Sequence, residues 1–591
     1  MLRTLRPDYL GAKVWFILAL AAMATAGGCT PQQYAQQADK ASDKVLLQKQ
    51  KQSLGVTVPF SIAYRPIAIA SQPASQPSTM PATAPAQALA AAATTSAPTS
   101  APASGPASRP ARVVSLAEAL NIAVHNSREY QDRKEDLYKQ ALALANLRHK
   151  WSGFGGDISA DEIISRTGNQ PTVFAGTGDA NVGFLQRFAN GGSLNLDAAL
   201  SALTSFRNSS DINGIAINNG TPLFTSLLSA SFHQPLLRGA WRGLAYEPLL
   251  RAERDVAINT LDYFRYTQTF AVDIARQYYN VLTLRDILEN EHENYQRLED
   301  TYKFVQAQVD GGMVSRVQAD QAEQDVLTAR VRIELAALAY DNALDRFKIT
   351  LGVPVSTEMR LDSAELAALA PQPLPMDEAT SVDTALHVRP DVLKDYAKVR
   401  DSIVDVEIAA DQFNPLLDVT IGASVPGRPP YQAFNTQFQD WTRFVNVQFD
   451  YPLDQTDNRD VYRRSLINAD KTKRDSDEFL DTVRLNVRSD YRALRTLERS
   501  YEIQRLSVDL AIRRTQLARF EQKEGLATTR DVLDAEDSLR SSKNAMIASL
   551  VGYYTQRLAF LANLGMIRVD AQGKYYERNE PFYFDRPSRF P

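Results

Sequence analysis

The sequence predicts an α+β fold made from a duplicated unit, with very long helices joined to strands that have one apolar and one polar face. Three observations carry this reading. First, Lys523–Glu536 (KEGLATTRDVLDAE) echoes Gly311–Glu323 (GGMVSRVQADQAE), and aligning Gly312 with Gly525 also places Ala322-Glu323 on Ala535-Glu536 and Leu351-Gly352 on Leu564-Gly565. Three matches at one constant offset mark a repeat. Second, in each copy the glycine interrupts two long runs of helix-forming residues, as the tight turn of a helical hairpin would. Third, upstream of each hairpin the hydrophobic period shortens from helical to two.

Composition limits the function. The chain has 591 residues, 44% of them hydrophobic, and 65 basic against 69 acidic side chains, so it lacks the basic footprint of a nucleic-acid binder. With five histidines and one cysteine, a Cys/His zinc site and an intramolecular disulfide are both excluded. No nucleophile, metal cluster or phosphate loop has a geometry that suggests an enzyme or a cofactor. No internal run approaches the roughly 18 apolar residues of a spanning helix, so any membrane crossing must be made by strands.

Residues 1–28 are laid out as a signal peptide: Arg3, Arg6 and Lys13, then the apolar run Val14–Met23, then Ala26-Gly27-Gly28 before Cys29. Ala-Gly-Gly-Cys resembles a bacterial lipobox, with Ala26 where Leu is commoner, and makes Cys29 the candidate lipidation site. The plainer alternative is a conventional signal cut nearby. Residues 29–70 are an N-terminal extension, and 71–111 are an Ala/Pro/Ser/Thr-rich linker too poor in large apolar groups to build a core. Repeat 1 covers 112–370, repeat 2 covers 371–566, and 567–591 are a C-terminal tail.

Repeat 1 opens at Ser115, a helix cap with Glu118 three residues on, followed by Leu116, Ala119, Leu120 and Ala123 on one face. Repeat 2 opens with His387 where repeat 1 has His125, and Pro390 breaks the helix where Ser127-Arg128 would break its counterpart. Both histidines read as ordinary helix residues, because no second ligand recurs near them. Strands follow. Leu194, Leu196, Ala198 and Leu200 alternate with polar partners, as do Leu417, Val419, Ile421, Ala423 and Val425, and then Val445, Val447 and Phe449. A soluble sandwich would alternate in the same way, but export raises the weight of a membrane barrel.

Each strand region ends at proline, in SFHQPLLRG and QFDYPLDQ, and a long helix follows: about Tyr246–Gln308 and about Asp457–Lys523. At 1.5 Å per residue each reaches about 95–100 Å. The spacing of Ile274, Tyr278, Val281 and Leu284, matched by Val487, Tyr491, Leu494 and Leu497, is that of coiled-coil ridges. The return helices, about Val314–Leu351 and Ala527–Leu564, span only about 60 Å, and the opening helices would supply the missing length if stacked end to end on them.

Opening helix, strand pair, proline-leucine strand end, long helix, glycine tip and return helix recur in the same order over residues 112–566, with Asp-Val-Leu-Asp-Ala on the second return helix, and together resemble the TolC-like outer-membrane efflux protein family. The resemblance implies a homotrimer whose strands close one shared outer-membrane β-barrel among the membrane lipids, above a periplasmic coiled-coil tunnel. It also implies a passive exit duct that works with a periplasmic adaptor (membrane fusion) protein and an inner-membrane pump, in efflux or type I secretion. Gly312 and Gly525 would be the adaptor-docking tips. Asp531 and Asp534 would line the periplasmic gate, and rings of acidic side chains select cations. The plain alternative makes them solvated helix-start acids favoured by the macrodipole. Repeat 1 has Gln318 and Gln321 at the matching positions, so the gate charge is expected from repeat 2 alone. A different class of function, an envelope scaffold or adhesin lipoprotein with coiled-coil arms and no channel, fits the same composition. One departure stands out: the family pattern expects two strands per repeat, yet repeat 1 holds an excess between Trp151 and Pro235 that includes a hairpin turning at Asn190-Gly191-Gly192. That hairpin could enlarge the barrel, form an external loop or fold over the rim.

Overall fold

The computed structural model describes residues 31–54, 66–67, 112–165, 173–205, 211–212, 215–216, 223–240, 242–373, 376–427 and 441–577. In repeat 1, β1 (Arg112–Val114) leads into helices α2 (Leu116–Asn126) and α3 (Arg128–Trp151), then into strands β2 (Ser152–Ser165), β3 (Val173–Arg187) and β4 (Ser193–Ser205). The short β5 (Asp211–Ile212) and β6 (Ile215–Ala216) precede β7 (Leu223–Pro235), and the helical hairpin α4 (Arg242–Asp310) and α5 (Arg316–Thr350) follows. After β8 (Met359–Leu361) and α6 (Ala364–Ala367), repeat 2 runs α7 (Glu378–Val388), α8 (Pro390–Asp411), β9 (Leu416–Pro426), β10 (Thr442–Asp450), α9 (Thr456–Lys523) and α10 (Thr529–Asn563). The described part of the tail folds back as β11 (Ile567–Val569) and β12 (Tyr575–Glu577), held by the Arg557–Glu577 pair at 2.7 Å.

Ser115 caps α2 by accepting from the Glu118 amide at 3.3 Å, and both opening helices break at the expected places, Ser127 and Arg389. His125 and His387 hold the same local contact, Nδ1 against the carbonyl oxygens of Asn121 and Asp383 at 2.9 and 2.8 Å. The predicted end-to-end stacking is present in both repeats. A Cβ on Gly352, beyond the end of α5, would collide with the Asn126 carbonyl at the α2–α3 break, and one on Gly565, beyond α10, would press on Val388 at the α7–α8 break. Their φ values of +72° and +71° and the lack of room both require glycine there. The main core lies at this level, with Tyr278, Phe347, Tyr553 and Phe560 fully enclosed.

Side by side, the lower helices run α5, α4, α10, α9, and the upper ones α3, α4, α8, α9. The strands form one antiparallel sheet in the order β10-β9-β7-β4-β3-β2. Repeat 2 supplies the expected two strands, but repeat 1 supplies four. The hairpin at Asn190-Gly191-Gly192 joins β3 to β4 inside this sheet, with Gly191 at φ +81°.

The N-terminal extension contains a helix that sequence patterning does not announce, α1 (Pro31–Leu54), rich in Gln and Lys. Its Ser42, Val45, Leu46, Lys49 and Gln50 are buried, a helical face laid on α3 and α4. Tyr138 donates to Asp39 and Arg148 to Gln48, while Lys49 and Arg148 share Glu253 at 3.3 and 2.7 Å. These pairings make α1 parallel to α3, so it begins at the end remote from the sheet.

Candidate functional site

Three features can act: the sheet, the tips, and the lateral edges of the helical layer. Along the long strands the residues mostly alternate, with glycines thinning the pattern in β2 and Leu227-Leu228 interrupting it in β7. One register row, Phe154–Phe184–Leu196–Ala230–Ala423–Arg443, crosses all six strands and is apolar up to its last member, whose guanidinium stacks 3.4 Å from the ring centroid of Trp441. The adjacent row, Gly155–Gly183–Asp197–Ser229–Ser424–Thr442, is small or polar throughout. Phe154, Ile158, Val182, Val445, Val447 and Phe449 all stand exposed on the apolar face of the chain. A surface of that kind in water would be an aggregation liability, whereas in lipid it is a wall.

At the tips Gly312 and Gly525 take φ +72° and +73°, and a Cβ on either would meet nothing, so the turn conformation and not crowding is what demands glycine. Next to them Met313 and Leu526 occupy matching positions and are 77% and 79% exposed, an apolar pair that the glycine signal alone did not reveal.

Asp531 and Asp534 both lie exposed on one face of α10 just above the second tip. Asp531 is engaged locally. Its carboxylate accepts from the Thr528 amide and hydroxyl at 2.9 and 2.7 Å, while the Thr528 hydroxyl accepts from the Asp531 amide at 3.3 Å, a reciprocal capping box. Those Thr528 bonds, with Arg514 and Arg530 nearby, hold the Asp531 carboxyl below its ordinary value of 3.8. Its folded-state value being depressed, the contribution of this cap is intact above pH 3.8 and is lost only as the pH falls below that. Asp534 has no such cap bond.

In repeat 1 one of the two matching glutamines is held by repeat 2. Gln318 accepts the Thr529 hydroxyl at 2.9 Å, which ties the two tips together, so it is a structural contact between the repeats. Asp325, one helical turn past Gln321, faces α10, and burial together with Asp534 and Asp537 pushes its carboxyl up, against the pull of Arg332. Asp325 thus stands within electrostatic reach of Asp534 and Asp537 on the neighbouring helix.

Above the tips a charge cluster joins three helices. Glu536 on α10 is fully buried and pairs with Arg297 of α4 at 2.8 Å and Arg519 of α9 at 2.6 Å. A second buried acid, Glu291, meets Arg540 at 3.1 Å and Arg332 at 3.5 Å. In the sequence Glu536 served only as an alignment landmark. Its place among Val532, Ala535 and Leu539, all buried, is the signal that could have marked it as an interior charge.

Among the described residues, the lateral edges of the helical layer carry no further element beyond α5 on one side and α9 on the other at the level of the stripes described next. On α5, Leu327, Val331, Leu335 and Leu338 form an exposed apolar stripe, and on α9, Ile503, Leu506, Leu510 and Leu517 form another. Leu327 and Leu510 are equally far along the chain from their tip glycines, as are Val331 and Leu506. The two stripes thus stand at the same heights, about 22 and 28 Å above the tips.

Residues 228–353 and 382–565, together more than half of the chain, match the family described as Outer membrane efflux protein. Solved structures with the same fold include the CmeC outer membrane channel of Campylobacter jejuni (13% identity, 79% of this chain and 87% of that one covered, TM-score 0.56). The outer membrane protein VceC of Vibrio cholerae aligns at 14% identity over 76% of this chain and 96% of that one, TM-score 0.55. The open state of the Neisseria gonorrhoeae MtrE outer membrane channel aligns at 13% identity over 78% and 88%, TM-score 0.54. No curated protein matches the chain by sequence.

Proposed function

Because this chain belongs to the outer membrane efflux protein family, whose members are channels and not enzymes, we propose that three copies form a passive exit duct. Its barrel sits in the outer membrane, its helices run through the periplasm, and its tips meet a periplasmic adaptor that connects to an inner-membrane pump. The observation that carries this reading is the pair of unpartnered edges: β2 and α5 on one side, β10 and α9 on the other, each helix with an apolar stripe at the same height as the other's. A ring of copies covers both edges at once and closes on itself. The pump supplies the energy, and the duct needs few specific contacts with its cargo.

Purified protein reconstituted in planar bilayers is expected to give conducting trimers that prefer cations and are blocked by a trivalent cation from the periplasmic side. Monomers without conductance would reject the duct and favour the envelope scaffold. The gate assignment at Asp531 and Asp534 is tested in the same recordings. Asp534→Asn removes charge without touching the Thr528 cap, so it is the cleaner probe. It should weaken cation preference and block together, and Asp531→Asn/Asp534→Asn should weaken them further. Unchanged selectivity in the double variant would leave both as solvated helix-start acids.

Cys29 lies outside the described residues, and its lipidation is a separate proposal that rests on Ala26-Gly27-Gly28-Cys29. Labelling with a radioactive fatty acid such as palmitate should mark the wild type, and Cys29→Ala should lose the label while still inserting, because the apolar belt carries insertion. Label retained by the variant would reject Cys29 as the site.

A further inference from the structure

We infer that all six strands of the large sheet of each chain stand in the membrane wall, so that three chains close a barrel of about 18 strands instead of the 12 that two per repeat would give. The inference rests on the trimeric reading above and deepens it, since it sets the width of the exit and hence the bulk of the solute that can leave.

Three observations support it. The first is continuity of pairing: β2 runs in unbroken register with β3 from Ser152↔Gln186 to Ser165↔Val173, and β3 with β4 from Arg187↔Ser193 to Ala175↔Ser205. A hairpin folded over the rim, or standing off as a loop, would leave that ladder. The second is that the inside–outside alternation is carried through the added strands without a slip. Phe154 and Phe184, whose ring centroids are 4.8 Å apart, continue the apolar row that Ala230 and Ala423 carry through β7 and β9. A one-residue slip would turn every side chain to the other face, so the agreement is a constraint shared by six strands. The third is length: β2, β3 and β4 have 14, 15 and 13 residues, more than the roughly 9–11 needed to cross a bilayer at the usual tilt.

Strands about 4.8 Å apart and tilted about 40° give a backbone diameter of about 36 Å for 18 strands, against about 24 Å for 12. The cross-section is then about 2.3-fold larger, in the range where a barrel holds an open aqueous channel. The lumen-facing row adds no bulk to narrow it: Gly155, Gly183, Ser229 and Ser424 are small, and Asp197 lies over Gly183, where a Cβ would clash with it.

Single-particle cryo-electron microscopy of the intact native trimer in lipid nanodiscs tests the count directly. The expected result is 18 wall strands and a diameter near 36 Å. A threefold particle with 12 wall strands and β3–β4 lying outside the membrane would overturn the inference while leaving the duct reading in place. Particles without a threefold pore would bring down both. A variant lacking residues 173–205 keeps β2 and β7 in up–down order and should show 12 strands; 18 strands in that variant is incompatible with the proposal.

Discussion

Leu510→Asp is expected to hold the protein as a monomer in detergent and to abolish conductance, and Leu327→Asp should do the same. Each leucine stands more than half exposed on an edge helix of the isolated chain, so neither substitution disturbs the protomer's own core. In a closed trimer each would be buried at three interfaces. Burial of a leucine is worth about 1.5–3 kcal/mol, so the ring loses about 5–9 kcal/mol before any cost of desolvating the new charge. Because Leu327 and Leu510 stand at one height, Leu327→Lys with Leu510→Asp should recover trimers that neither single variant forms. Sedimentation in detergent reads all three. Single variants that sediment as wild-type trimers would show that these stripes do not face another copy.

Removing both arginines from Glu536 should be the most damaging change inside the protomer. Arg297→Leu/Arg519→Leu leaves a fully buried carboxylate with no cation, and breaking such a pair costs about 3–5 kcal/mol. Glu536→Gln should cost less, because Arg297 and Arg519 are 20% and 39% exposed and can regain water when their partner loses its charge. Thermal unfolding followed by far-ultraviolet circular dichroism should rank wild type above Glu536→Gln, and that above the double arginine variant. The reverse order would mean that the cluster is held by the arginines' packing and not by the buried charge. The same cluster ties α4, α9 and α10 together, so any sideways opening of the tips has to carry these three helices as one body or break it.

The long helices were legible because their periodicity is sustained: the expected limits Tyr246–Gln308 and Asp457–Lys523 fall within a few residues of α4 and α9. The glycine pairs were legible as well, since turns and close approaches select glycine for a backbone reason that shows in one letter. The strand count was harder to read. In β2, Gly153, Gly155 and Gly156 dilute the alternation, so the register with β3, and not the residues themselves, reveals that strand. Helix α1 escaped notice because its buried face includes Ser42, Lys49 and Gln50, polar groups whose partners lie on distant segments. For the same reason the cluster around Glu536 stayed hidden: the repeat predicts where a residue sits, but its ion partners come from helices that only the fold brings alongside.

The direction of α1 limits how the chain can be tethered. Pro31 begins the helix eight residues before Asp39, which meets Tyr138, itself well below the first strand residue Ser152. Counted along parallel helices, the start of α1 lies about 30 Å beneath the first residues of the sheet. From there to Cys29 the backbone can reach only about 7 Å even when fully extended. An acyl chain on that cysteine and a docked α1 therefore compete for the same short leash. In an acylated molecule seated in the membrane the helix must peel from α3 and α4, exposing Val45 and Leu46 and releasing Glu253 from Lys49. A molecule that keeps α1 in place is held in the bilayer by its strands alone.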